Sequence, residues 1–220
     1  RALRWGLILR PAGKAGAGQL FGCTAAGFAT SSILPARAGE LVRPLLLSAR
    51  TRIPPAAALA SILTERLLDG ASVLILFALS IALVGQRLPA QHLVLLQRAA
   101  GLAALGLVAA VAVVVLLLRR RAGAIALLVR PFPARWRPRL ESFLGHLMDG
   151  LAVLGSPWRL VEITVWSLGL WLLIGSQLVA LARAFDLRLD LGQAFVVVAV
   201  SVIGLAVPTP AGVGGFHTAI

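Results

Sequence analysis

Two short clusters of charge stand in a chain that is otherwise apolar. The first is Arg37-Ala38-Gly39-Glu40-Leu41-Val42-Arg43 and the second is Thr64-Glu65-Arg66-Leu67-Leu68-Asp69. Arg37, Glu40 and Arg43 recur every three residues, so each neighbouring pair could neutralise itself along a helix. Glu65 and Asp69 are four apart and share one helix face, with Arg66 three before Asp69. Two like charges facing each other in a membrane need a counter-charge, which predicts that Arg37 or Arg43 reaches Glu65 or Asp69. Two chemistries are open. One is a buried ion network that pins one element to the next. The other is a lipid headgroup site, where the planar guanidinium fork takes two phosphate oxygens and Glu65 or Glu40 draws an amine.

No other grouping competes with these six residues. His146 sits among alternating polar and apolar residues, His92 is isolated, and His217 is a candidate polar lining near the end of the chain. No His, Cys or carboxylate set has metal-ligand spacing. Gly212-Val213-Gly214-Gly215 lacks the lysine and serine of a phosphate-binding loop and follows no strand. No nucleophile has a base beside it. The sequence therefore assigns no catalytic residue, no metal and no cofactor, and favours a non-enzymatic role.

The elements that must position these charges are set by composition. Of 220 residues, 59% are hydrophobic and 13% charged, with a mean hydropathy of +0.93. Soluble domains carry about a quarter charged residues, so an all-α, polytopic membrane bundle is expected. The net charge of +13 would suggest nucleic acid in a soluble chain. Here the arginines flank apolar spans, which points to topology and anionic lipid, with no nucleic-acid partner. The lone Cys23 excludes a disulfide framework. The chain begins at Arg1 and stops inside an apolar run, and is expected to be the membrane domain, 1–220, of a longer protein with further helices at both ends.

Residues 1–19 hold Arg1, Arg4, Arg10 and Lys14, with Trp5 expected as an interface anchor. Residues 20–34 are apolar but, as a helix of about 22 Å, fall short of the roughly 30 Å hydrocarbon layer. Pro35 and Gly39 then interrupt the segment, Pro35 by removing a donor and Gly39 by allowing unusual dihedrals. A re-entrant hairpin over 20–49 is expected, because unpaired backbone at membrane depth must face protein or a watery cavity. A plain cytoplasmic loop is the alternative. Two spanning helices follow within 56–118, the second with a small-residue packing face that includes Ala99, Ala103 and Gly106. Pro131, Pro133 and Pro138 break up the arginine-rich 119–139, and an amphipathic helix occupies 139–156. Another span covers 158–182, with Trp166 and Trp171 expected between helices.

The last segment echoes the first. Gln19-Leu20-Phe21 precedes a small-residue run ending in Pro35-Ala36-Arg37-Ala38-Gly39. Gln193-Ala194-Phe195 precedes one ending in Pro208-Thr209-Pro210-Ala211-Gly212. With 119–139 inside by the positive-inside rule, the charge-balanced loop 183–190 is outside. A second, incomplete broken hairpin over 191–220 would then enter from the side opposite to the first, with Pro208, Pro210, Gly212 and Gly214 forming its turn. Such inverted repeats of broken helices are a transporter architecture. The competing reading makes 191–207 an ordinary span followed by an inner exit loop.

These residues carry a family resemblance. Leu34-Pro35-Ala36-Arg37-Ala38-Gly39-Glu40-Leu41-Val42-Arg43 resembles the signature of the lysylphosphatidylglycerol synthase transmembrane, flippase-like family. Thr64-Glu65-Arg66-Leu67-Leu68-Asp69 resembles its second motif, and Val207-Pro208-Thr209-Pro210-Ala211-Gly212-Val213-Gly214-Gly215 its third, in the family's order and over nearly the whole chain. Phe216 and His217 stand where many members place an acid. The resemblance implies a multi-pass protein of the bacterial or archaeal inner membrane that binds and translocates a phospholipid or lipid-linked headgroup, anionic or amine-modified. It also implies a lipid-modifying enzyme domain or subunit as a partner. A homo-oligomer, a non-transporting anchor for such an enzyme, and a membrane-embedded lipid-modifying enzyme are the other readings carried forward.

Overall fold

A computed structural model describes residues 1–33, 39–85 and 90–206. Among the described residues all regular secondary structure is helical. The helices are α1 (Ala2–Leu9), α2 (Ala17–Ile33), α3 (Gly39–Arg50), α4 (Pro55–Val84), α5 (Ala90–Arg119), α6 (Arg121–Val129), α7 (Arg137–Leu151), α8 (Pro157–Ala184) and α9 (Leu191–Ala206), with a short 3₁₀ turn, Ala152–Gly155, after α7. Among the described residues, three stretches are long and apolar enough to cross a membrane: Pro55–Leu83, Leu93–Arg119 and Pro157–Ala184. The fold is an all-α, multi-span membrane bundle.

The chain divides into two compact units. The first comprises Arg1–Leu67 and Ala109–Ile163. Its core gathers Trp5, Leu9, Leu20, Cys23, Leu47 and Ile53 beside Ala57 and Ala58 of α4. Small residues let helices close on α4. A side chain on Gly150 would strike the carbonyl of Ala57, and Thr64 Oγ1 donates to the Gly150 carbonyl at 3.3 Å. A second cluster joins Ala60, Val114, Leu151 and Leu154. Arg121 Nη1 lies 2.7 Å from Asp149 Oδ1 and ties α6 to α7.

The second unit comprises Leu68–Val108 and Thr164–Ile220. Val73, Leu76 and Phe77 of α4 pack with Trp171 of α8 and Phe195, Val198 and Ala199 of α9. Gly175 leaves room for the Phe195 ring, which would stand 2.7 Å from a Cβ there. Asp190 and Gln193 form a reciprocal cap at the start of α9: Gln193 N–H donates to Asp190 Oδ1 at 2.8 Å and Asp190 N–H donates to Gln193 Oε1 at 3.0 Å.

Three expectations are corrected. Trp5 is no interface anchor; it is wholly buried and its indole N–H donates to Ser61 Oγ at 2.8 Å. Trp166 is 51% exposed rather than packed between helices. On α5, Ala103 and Gly106 are exposed, and nothing lies within 4 Å of where a Gly106 side chain would be. Residues 101–113 of α5 are exposed or half-buried. Within 119–139 the helix is interrupted around Pro131 and Pro133: α6 ends at Val129 and α7 begins at Arg137.

Candidate functional site

The site is built where α1, α3 and α4 meet in the first unit. Glu65 lies ten residues after the start of α4, about 15 Å along the helix. The Glu65 side chain is buried, so its charge must be met by protein. Arg43 Nη2 of α3 donates to Glu65 Oε2 at 2.7 Å, and Arg4 Nη2 of α1 donates to Glu65 Oε1 at 2.8 Å. Both carboxylate oxygens are thereby engaged. Glu65 and Arg4 are each 2% exposed and Arg43 8%.

An aromatic floor supports the guanidinium. Arg43 Cζ lies 3.9 Å from the centre of the Trp5 ring, a stacked cation–π contact inside a water-poor site. Ser61 Oγ fixes that ring by accepting from Trp5 Nε1 and donates in turn to the Ala58 carbonyl at 2.7 Å. Arg43 Nε is buried and has no hydrogen-bond acceptor among the described residues, and the same holds for Thr24 Oγ1 on α2. The guanidinium therefore retains a donor beyond those spent on Glu65.

Gly39 positions Arg43. As the first residue of α3 it is helical, so unusual dihedrals are not what the glycine supplies. It supplies close approach: a Cβ at Gly39 would fall on the Gly27 carbonyl oxygen of α2, and a Cβ at Gly27 would stand 2.9 Å from Arg43 Cβ. The two glycines let α2 and α3 touch by backbone, which brings Arg43 one turn further along against α4.

Glu40 and Arg66 form a second, more open pair at 2.5 Å, with side chains 34% and 44% exposed. The structure thus brings Glu40, Arg43, Glu65 and Arg66 into two ion pairs between α3 and α4. Neither pair is local in sequence: both join α3 to α4. Asp69 belongs to the second unit, where Trp171 Nε1 donates to its Oδ1 at 3.1 Å. Pro35, Arg37, Pro208, Pro210, Gly212, Gly214 and His217 lie outside the described residues.

Sequence reasoning missed Arg4, Trp5 and Ser61 as members of the site, while Trp171 packs between helices as expected. Arg4 was grouped with Arg1, Arg10 and Lys14 as a topological charge. The available signal was its place beside Trp5 in a short helix whose Ile8 and Leu9 are also buried, one turn on. Among the described residues no three His, Cys, Asp or Glu side chains gather in a way that could hold a metal ion.

A multi-span helical membrane protein with two arginines and a carboxylate buried together is the class that this fold and site define. Residues 1–220 match the family described as the lysylphosphatidylglycerol synthase TM region, and the chain belongs to that family. It is a multi-pass membrane protein of the bacterial or archaeal inner membrane type, and its match is to the TM region that gives this family its description. Comparison with curated proteins and with solved structures gives no match.

Proposed function

We propose that this chain binds a phospholipid or lipid-linked headgroup at membrane depth and moves it between leaflets, with the acyl chains remaining in lipid. The observation that carries this reading is the buried Arg43, stacked on Trp5 and held by Glu65 at 2.7 Å, with its Nε still unmatched by an acceptor among the described residues. Intramembrane ionisable residues are costly and mark substrate pathways by default. A guanidinium on an aromatic floor suits a phosphate, while Glu40, a third exposed and next to the site in sequence, suits an amine on the same headgroup. In this reading α2 and α3 are the two arms of a re-entrant hairpin that turns through Pro35. Arg37 lies near that turn, and residues 191–220 form a second broken hairpin entering from the other side. Alternating access between two such repeats supplies movement without a catalytic step. Anionic or amine-modified phospholipid is the substrate class, and a lipid-modifying enzyme is the natural partner.

The second reading is favoured by the saturation of Glu65. Both its oxygens are engaged, as expected of an ion network that pins α1 and α3 to α4. Lipid transport by the purified chain in vesicles, read beside thermal stability, separates the two. Arg43→Lys keeps the charge but loses the fork and the stacking. Headgroup transport should fall severalfold in that variant while most stability remains. Normal transport by a stable Arg43→Lys protein, and by Arg37→Ala, would remove the arginines from the mechanism and leave the structural role.

A further inference from the structure

A second cationic site lies in the other unit, where α8 ends and α9 begins. An open groove has two lobes of about 400 and 430 Å³ that share Arg183, Leu189 and Asp190. The first lobe is walled by Val179, Ala180 and Leu191 and runs along the last turns of the membrane-spanning α8. The second lobe is lined by Arg183, Arg188 and Gln193. Neither guanidinium has an acceptor or carboxylate partner among the described residues. Two carboxylates are nearby in sequence. Asp190 lines both lobes with Arg183; it accepts from Gln193 N–H at 2.8 Å at the start of α9 and has a further interaction. Asp186 is exposed in a turn at a φ of 59°. Phe185 and Leu187 are 71% and 63% exposed between the two arginines.

We infer that this groove seats the phosphate of an anionic diacyl phospholipid, with Arg183 and Arg188 on the phosphate oxygens and one acyl chain along the Val179 and Ala180 lobe. Each part of the groove matches a part of that ligand. An arginine at the end of a spanning helix stands at headgroup level, and two unpaired guanidiniums lining one lobe give a phosphate up to two forked contacts. The adjoining apolar lobe continues toward the hydrocarbon, as a lipid requires and a free anion does not. Arg183 alone would be explained by the favourable field at the C-terminus of α8. Arg188 lies beyond that helix and faces the same lobe, which the helix field does not explain. The site does not depend on transport; only its assignment to the external surface rests on the topology proposed above.

The test uses the full chain in phosphatidylcholine vesicles containing a minority of phosphatidylglycerol whose acyl chain carries a diazirine. Cross-linking to the peptide spanning residues 176–193 is read by mass spectrometry. The double variant Arg183→Gln with Arg188→Gln should lose about tenfold or more of that cross-link, since each basic residue near an anionic membrane surface contributes roughly a factor of five. Arg183→Lys with Arg188→Lys should keep most of it, and raising salt should weaken the wild-type signal. Inorganic phosphate in excess should not displace the lipid. Full cross-linking in a folded Gln variant, a salt-insensitive wild-type signal, or displacement by inorganic phosphate would each overturn the proposal. If the Gln variant does not fold, the salt series and the phosphate competition on the wild-type chain decide.

Discussion

Replacing Glu65 with glutamine tests the centre of the buried cluster. The side chain keeps its shape and one carbonyl oxygen, but the other oxygen becomes an N–H₂ group aimed at a guanidinium. Wild-type Glu65 accepts from Arg4 at 2.8 Å and from Arg43 at 2.7 Å, and none of the three is more than 8% exposed. Removing one member of a buried ion pair costs about 3–5 kcal/mol, because the remaining charge stays buried. For a chain of this size about 1 kcal/mol moves Tm by roughly 2–4 °C, so Glu65→Gln should unfold about 6–20 °C lower in detergent. The matched control is Glu40→Gln, which removes a pair whose side chains are 34% and 44% exposed. Screening limits that pair to about 1 kcal/mol or less, and its Tm should move by a few degrees at most. Both variants are read by fluorescence-detected size exclusion after heating, at equal detergent and salt. Equal losses for Glu65→Gln and Glu40→Gln would refute the reasoning, since burial would then not govern the energetics of either pair.

Three further outcomes follow from particular contacts. Gly39→Ala places a methyl on the Gly27 carbonyl oxygen and should cost several degrees of Tm, whereas Gly106→Ala, with open space around it, should be neutral or slightly stabilising in the same assay. Trp171→Phe withdraws the donor to Asp69 Oδ1 and should destabilise by about 1–3 kcal/mol; a change within error would show that the buried carboxylate does not need the indole. In a Cys23→Ala background, cysteines at Arg130 and Leu187, both exposed, should react with an impermeant maleimide from opposite sides of the membrane. Labelling from one side would overturn the proposed topology and with it the inverted arrangement of the hairpins.

What could be read from the chain depended on whether the deciding interaction was local. The spanning helices were legible because length and hydropathy are sums over one segment, so Pro55–Leu83 and Pro157–Ala184 announce themselves. Trp5 and Trp166 were misread because an indole suits both a lipid interface and a core, and only the neighbour decides. Trp5 has Ser61 and Arg43 beside it, while Trp166 is half exposed.

The charges sharpen the point. A single helix offers Glu40 with Arg43 three residues on, and Arg66 with Asp69, each able to form a short-range pair. The ion pairs observed for Glu40, Arg43 and Arg66 run between helices instead. A local Glu40 pair on α3 would draw Arg43 away from Glu65, whose carboxylate is about 15 Å along α4 and has no route to water. Exposed i,i+3 pairs are worth only about 0.2–0.5 kcal/mol, whereas an uncompensated buried charge costs several. The deepest charge therefore chooses first. Glu65 takes Arg43 and Arg4, and the shallower Glu40 is left to Arg66. The need for a counter-charge was visible in the sequence, and so was Arg43 as a candidate. The second donor was hidden because Arg4 sits 61 residues away, in a short helix flanked by Arg1 and Arg10, which lie at the surface.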